Sequence, residues 1–142
     1  MTLNEANEIA SLLNERNELV RAYTGEAVLA DADNYEFEVR SEGVVACVER
    51  KKVQWYQWEI RHLSVRKELE GKGVASVLYQ RAETAARSGG ARILQCTIRE
   101  GNTRSVCFFE KRGFLKVGRF FNPATKNTVG VWQKVLPTAK DG

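Results

Sequence analysis

Apolar residues near the start of the chain recur three or four positions apart. This spacing from Leu3 to Tyr23 predicts an amphipathic helix, continuous or broken near Asn14–Asn17. Thr2 and Glu5 have the spacing of a capping box, which marks the beginning of this helix. We expect the helix to stop at Gly25, within an acidic stretch that has the composition of a loop.

The next stretch, residues 35–65, alternates apolar and polar side chains as strands do. Tyr35–Arg40 predicts a half-exposed strand, Val44–Val48 a more buried one, and Val53–Val65 a long one. We expect the charged run Glu49–Lys52 to be a turn. Three strands joined by tight turns predict an antiparallel meander.

In the second half of the chain, helical and strand patterns alternate. A helix is predicted from Gly73 to Gly89-Gly90 and a buried strand at Ile93–Ile98. The rest is a short helix capped by Asn102 or Thr103, followed by strands at Leu115–Phe121 and Val129–Leu136. Because a strand–helix–strand crossover joins parallel strands, the fold class is α/β (α+β). We predict a mixed, mostly antiparallel sheet with one central parallel pair and flanking helices, in a single domain of residues 1–142.

Composition narrows the class of protein. The chain has 142 residues, of which 28% are charged and 43% hydrophobic, as is typical of a globular domain. Three cysteines without paired spacing favour reduced thiols in the cytoplasm, and one histidine offers no metal cluster. No apolar run is long enough to cross a membrane. Exposed strand edges favour a homodimer.

Charge is distributed unevenly along the chain. Residues 1–50 hold 4 Lys and Arg against 11 Asp and Glu, whereas residues 51–142 hold 18 against 7. The acidic part suits a cationic substrate and repels nucleic acid. Solvated surfaces with chance segregation explain the same numbers.

A glycine turn links the long strand to the helix that follows it. The sequence Gly71-Lys72-Gly73-Val74-Ala75 opens this helix. The first N–H groups of a helix, together with the positive end of its dipole, form a site for phosphate, and glycine lets an anion approach the backbone. Many such turns hold glycine for packing alone, so packing is the alternative.

Two blocks of the chain resemble motifs of the GNAT family of N-acetyltransferases. The first, Leu63–Glu83, is similar to their acyl-CoA motif, which begins with Gln or Arg followed by x-x-G-x-G/A. Here Glu70 stands at that first position, and a window that begins at Glu68 also has Glu first. The second, Asn102–Phe114, is similar to N-x-x-A-x-x-x-Y-x-x-x-G-F, with Phe109 in place of the Tyr.

The resemblance implies acetyl-CoA, or another acyl-CoA, as co-substrate. Its pyrophosphate is expected on the backbone amides of Glu70, Gly71, Lys72, Gly73, Val74 and Ala75. The pantetheine arm would pair with the backbone of Leu63, Ser64 and Val65, where an amide would also hold the thioester oxygen. Asn102 and Phe109 belong to the second cofactor-binding block.

The acceptor amine must lose a proton before it attacks the thioester. Glu59 is the candidate base, because alternation along the strand puts it on one face with Arg61, Leu63 and Val65. A surface carboxylate paired with Arg61 is the alternative. Cys107 is expected to be buried in its helix, and no nucleophile with a base is evident, which favours direct transfer.

We therefore predict an N-acetyltransferase that acts on a primary amine, either a small molecule or a protein or peptide. Because Glu70 and Phe109 depart from the family motifs, an acyl-CoA-binding module with weak or no catalysis is the second hypothesis. A nucleic-acid-binding domain is a third, which the acidic first third of the chain disfavours.

Overall fold

A computed structural model describes residues 1–17, 19 and 21–137. Val20 of the first predicted helix and the predicted tail after Pro137 lie outside the described residues. The helices are α1 (Leu3–Arg16), α2 (Gly25–Ala30), α3 (Val74–Ser88) and α4 (Thr103–Glu110). The strands are β1 (Tyr35–Arg40), β2 (Gly43–Gln54), β3 (Gln57–Val65), β4 (Ile93–Arg99), β5 (Leu115–Asn122) and β6 (Asn127–Val135).

The six strands form one sheet in the order β1-β2-β3-β4-β6-β5. β3 and β4 are parallel, with Gln57 opposite Ile93 and Glu59 opposite Gln95. The pairs β1–β2, β4–β6 and β5–β6 are antiparallel. The predicted mixed sheet with one central parallel pair is confirmed.

The chain divides into two compact units, each described by itself. Unit 1 comprises the described residues of Met1–Lys51 and of Ile60–Ala85. Thr2 and Glu5 form the predicted capping box at the start of α1. The core of unit 1 is built by residues of α1, α2, β1 and β2. Its members are Ala6, Ile9, Ala10, Leu12, Leu13, Val28, Tyr35, Val44 and Cys47.

Unit 2 comprises Lys52–Glu59 and the described residues from Ala86 onward. Leu94, Cys96 and Ile98 are its buried strand residues on β4. The rings of Phe109 and Phe114 meet edge to face, with centroids 5.1 Å apart. β5 presents exposed apolar side chains, including Leu115 and Phe121.

Gly25 was predicted to end the first helix, and that prediction is wrong. α1 ends at Arg16, and Gly25 instead begins α2, where the Thr24 hydroxyl accepts a hydrogen bond from the Ala27 amide at 3.1 Å. A Cβ atom at position 25 would collide with the Asn7 side chain. Glycine is therefore needed for the close approach of two helices, and residues 24–34 are largely helical rather than loop.

The charged run Glu49–Lys52, predicted as a turn, lies within β2. Glu49 and Arg50 each have a partner on a neighbouring strand, which stabilises the extended backbone. Arg50 donates to Glu36 at 2.8 Å, and Glu49 lies 3.8 Å from the Arg61 guanidinium. The turn falls instead at Trp55 and Tyr56, and the Trp55 side chain is 71% exposed.

Within α3, the side chains of Val74, Leu78, Ala82 and Ala86 are buried, whereas that of Val77 is exposed. Two polar side chains take part in the buried face. Tyr79 donates to the Glu83 carboxylate at 2.7 Å, so each satisfies the other.

Candidate functional site

The glycine turn of unit 1 connects β3 to α3. A short 3₁₀ turn at Lys67–Leu69 follows the strand, and then come Glu70, Gly71 and Gly73. Gly71 has φ 75° and Gly73 has φ 81°, which is the left-handed region where a Cβ is unfavourable. An added Cβ at either position would meet no other heavy atom within 4 Å. Backbone conformation therefore requires these glycines, and the space above them is open.

The start of α3 differs from the starts of the other three α-helices. Thr2, Thr24 and Asn102 accept side-chain hydrogen bonds from the first turns of α1, α2 and α4. α3 follows Gly73, which has no side chain to offer, and its first turn contains no acidic residue. Because the first N–H groups of a helix have no partner inside it, this helix start suits an anion.

The strand that leads into the turn has a bulge. His62 has φ 51°, so the regular alternation of side chains is interrupted there. The shared face of Glu59 with Arg61, Leu63 and Val65 rests on strict alternation through this residue and stays a prediction. The His62 ring lies edge to face with Tyr23, with ring centroids 5.4 Å apart.

After His62, one hydrogen bond shows toward which neighbouring strand the backbone amides point. The Arg66 amide donates to the Val45 carbonyl of β2 at 2.9 Å. Since amides alternate along a strand, those of Leu63 and Val65 point to the opposite edge of β3. Ser64 is only 3% exposed, and its hydroxyl donates to the His62 carbonyl at 3.0 Å.

Glu59, the candidate base, is a half-buried residue of unit 2. It lies opposite Gln95 in the parallel ladder, and Gln133 donates to the Gln95 side-chain oxygen at 2.8 Å. Burial and, second, the Glu59 carboxylate raise the pKa of the Cys96 thiol to about 12. Glu59 therefore lies opposite Gln95 on the ladder and close enough to Cys96 to influence its thiol.

The second block of unit 2 has a clear structural role. Asn102 caps α4, because its side-chain oxygen accepts a hydrogen bond from the Ser105 amide at 3.2 Å. Phe109 is 7% exposed and packs edge to face against Phe108 and Phe114. Cys107, which we expected to be buried, is exposed.

The charged residues around the glycine turn are arranged in ways that the sequence did not predict. Arg16, in the last turn of α1, forms an ion pair with Glu70. Arg66 donates to the Glu42 carbonyl at 3.4 Å, and Lys72 is exposed. The chain carries one sequence signal for the contact with Arg16: Glu70 stands where the resembled family has Gln or Arg.

The acidic residues expected to attract a cation are partly neutralised inside unit 1. Glu36 pairs with Arg50 at 2.8 Å, and Glu38 pairs with Arg81 at 3.0 Å. These contacts reduce the negative potential available to a substrate. Among the residues that the structure describes, no group of three or more His, Cys, Asp and Glu is arranged to hold a metal.

The mixed sheet and the glycine turn define an α/β protein with a helix start suited to an anion. Solved structures with this fold include Ard1 from Thermoplasma volcanium, which is 17% identical with a TM-score of 0.81, covering 96% of this chain and 95% of that one. The ribosomal-protein-alanine N-acetyltransferase of Brucella melitensis is 17% identical with a TM-score of 0.80, covering 96% and 97%. A GNAT family acetyltransferase from Elizabethkingia anophelis with acetyl-CoA bound is 12% identical with a TM-score of 0.68, covering 89% of each chain.

The family follows from the sequence itself. The model of the acetyltransferase (GNAT) family matches residues 6–114. This chain belongs to that family, and the resemblance inferred from its two motifs is confirmed. No curated protein sequence matches it. None of the helices in the described part of the chain has the length and apolar character needed to span a membrane.

Proposed function

We propose that this protein is an N-acetyltransferase that moves an acetyl group from acetyl-CoA, or another acyl-CoA, to a primary amine. One observation carries the proposal. In a chain of the GNAT family, two glycines with left-handed backbone conformation precede α3, and the space beside them is open. An uncapped helix start of this kind binds phosphate through its amides. Membership of the family supplies the reaction class.

The cofactor would bind through the backbone. The Glu70 amide already donates to the Lys67 carbonyl at 3.2 Å, so the pyrophosphate would lie on the amides of residues 71–75. The amide-rich arm would pair with the strand edge at Leu63 and Val65. The direction of the Arg66 amide supports this, because it turns those two amides away from β2. Asn102 and Phe109 enter through the resemblance, which assigns them to the second cofactor-binding block.

Transfer would be direct. Glu59 accepts a proton from the acceptor ammonium, and the free amine attacks the thioester carbon. The new C–N bond forms as the C–S bond breaks, the thiolate of CoA leaves, and the attacking nitrogen gives up its second proton to solvent. Phe109 cannot protonate this thiolate, but a thiol with a pKa of about 8.5 is already a fair leaving group.

The acceptor class follows from chemistry and from relatives. Ribosomal-protein-alanine and phosphinothricin N-acetyltransferases share this fold, and both names denote amine acceptors. We propose a primary amine of a small molecule or of a protein or peptide. A homodimer and a cytoplasmic location remain predictions, as does the absence of nucleic-acid and membrane partners.

Release of free thiol from acetyl-CoA tests this function. The protein is incubated with acetyl-CoA and a panel of polyamines, aminoglycosides and peptides with free N-termini, and CoA binding is measured separately by calorimetry. We expect thiol release that depends on one acceptor class. Tight CoA binding without acceptor-dependent release would favour the acyl-CoA-binding module, and no CoA binding would contradict both.

Replacing Glu59 by Gln tests the base. We expect the rate at neutral pH to fall about 100-fold, because a positioned base contributes at least that factor, while CoA affinity stays unchanged. The pH–rate profile should lose its acidic limb. Glu100→Gln is the matched control, since Glu100 is another carboxylate of unit 2 that pairs with Lys116 at 2.9 Å. An unchanged profile in Glu59→Gln rules out this role.

A further inference from the structure

The glycine turn lacks the Gln or Arg that the family motif has at its first position. Glu70 stands there instead, directly before Gly71. A carboxylate beside a bound pyrophosphate repels it. Something in unit 1 must offset this charge if the proposed cofactor binds there.

Arg16 is placed to do so. Its guanidinium pairs with the Glu70 carboxylate, and the two side chains are 28% and 24% exposed. The pair brings a cation from the last turn of α1 to the first residue of the glycine turn. Two residues that are 54 positions apart in the chain thereby meet at one point.

A second contact holds the end of α1 against β3. The Asn17 side-chain amide donates to the Ser64 hydroxyl at 2.9 Å and to the Leu13 carbonyl at 3.0 Å. Ser64 is buried, so this contact is shielded from water in a way that a surface ion pair is not. The position of Arg16 is therefore set by its neighbour Asn17 as well as by Glu70.

We propose that Arg16 offsets the charge of the Glu70 carboxylate at this turn and binds the cofactor phosphates. Where the family motif has Gln or Arg, this chain has Glu70, and the cation beside it comes from another helix. Arg66 donates to the Glu42 carbonyl of the β1–β2 turn, so its guanidinium is directed to a different segment. This inference rests on the proposed function, since it needs a phosphate-bearing cofactor at residues 71–75.

The test is a double-mutant cycle followed by calorimetric titration with CoA. The variants are Arg16→Gln, Glu70→Gln, the double variant and Arg16→Lys. We expect Arg16→Gln to weaken CoA binding about tenfold, because the cation that offsets the Glu70 carboxylate and contacts the phosphates is then missing. Glu70→Gln should bind as well as the natural chain or more tightly. Arg16→Lys keeps the charge and should retain most of the affinity.

Two controls separate phosphate binding from general effects. Arg81→Gln removes the same charge from another ion pair of unit 1, Arg81 with Glu38 at 3.0 Å, and should change CoA affinity less than twofold. The loss in Arg16→Gln should shrink in 0.5 M KCl, because salt screens the interaction. Thermal unfolding of each variant shows that the fold is intact.

The outcomes are distinct. If the natural chain binds CoA and Arg16→Gln binds it equally well, Arg16 is only a surface ion-pair partner and the inference is overturned while the proposed function stands. Equal losses in Arg16→Gln and Glu70→Gln would mean that the pair merely holds the turn, which also contradicts the proposal. A natural chain that does not bind CoA removes both the proposed function and this inference.

Discussion

Unit 1 contains two polar regions that differ in one decisive respect. At the glycine turn, the polar groups are backbone amides at a helix start, and the space beside Gly71 and Gly73 is open. In the Glu49 cluster, consisting of Tyr35, Glu49 and Arg61, the polar groups point at one another. The Tyr35 hydroxyl donates to Glu49 at 3.2 Å, and the Arg61 guanidinium lies 3.8 Å away.

The electrostatics of the Glu49 cluster are those of a buried structural group. Glu49 is 2% exposed, and burial raises its pKa, against the lowering effects of Arg61 and of the Tyr35 hydrogen bond. Burial and then Glu49 raise the pKa of Tyr35 far above its usual range. Charged residues alone therefore do not mark a ligand site. Donors that the fold leaves without an internal partner, next to open space, are the better indicator.

The largest expected effect breaks the glycine turn. Gly73→Glu should weaken the affinity for CoA at least 100-fold, because it puts a side chain and a negative charge where the pyrophosphate lies. Calorimetry with CoA measures this. Gly90→Glu is the matched control: Gly90 also has positive φ, at 91°, and open space around its Cβ position. Similar CoA affinity in both folded variants would contradict the placement.

The next effect belongs to the Glu49 cluster. Tyr35→Phe removes the hydroxyl that donates to a buried carboxylate and should lower the free energy of unfolding by about 1–3 kcal/mol. Urea denaturation measures this, and CoA affinity of the folded variant should not change. Tyr56→Phe, in the turn between β2 and β3, should cost less than about 0.5 kcal/mol. A change in CoA affinity without a change in the free energy of unfolding would contradict the structural role of the Glu49 cluster.

The smallest effect is a pH dependence. Because the folded-state pKa of Glu49 is raised above 4.5, ionising it costs stability in the folded chain. As pH rises from 4.5 toward neutrality, the free energy of unfolding of the natural chain should fall relative to Glu49→Gln. Unfolding curves at several pH values test the sign. A difference that grows in the other direction would mean that Arg61 outweighs burial.

The sequence predicted the glycine turn because its determinants are local. A strand, two glycines and a helix stripe within 30 residues specify it, and no distant contact is needed. The charged run at Glu49–Lys52 failed for the opposite reason. Its partners Glu36 and Arg61 lie on neighbouring strands, and only the folded sheet shows that these charges are paired rather than solvated.

Two features of the candidate site were also beyond sequence reasoning. At His62 the backbone is left-handed although the residue is not glycine. Strict alternation of side chains therefore cannot be assumed beyond it. The contact of Arg16 with Glu70 joins positions 54 residues apart. Neither has a periodic signature in the chain.

The central claim is that the amides of residues 71–75 hold the phosphates of acyl-CoA. An NMR titration of the ¹⁵N-labelled protein with CoA tests it most directly. The account predicts that the amide signals of Gly71–Ala75 shift in proportion to bound CoA, whereas those of Tyr35 and Glu49 stay in place. CoA binding that leaves the glycine-turn amides unshifted, or shifts the Glu49 cluster instead, would contradict it.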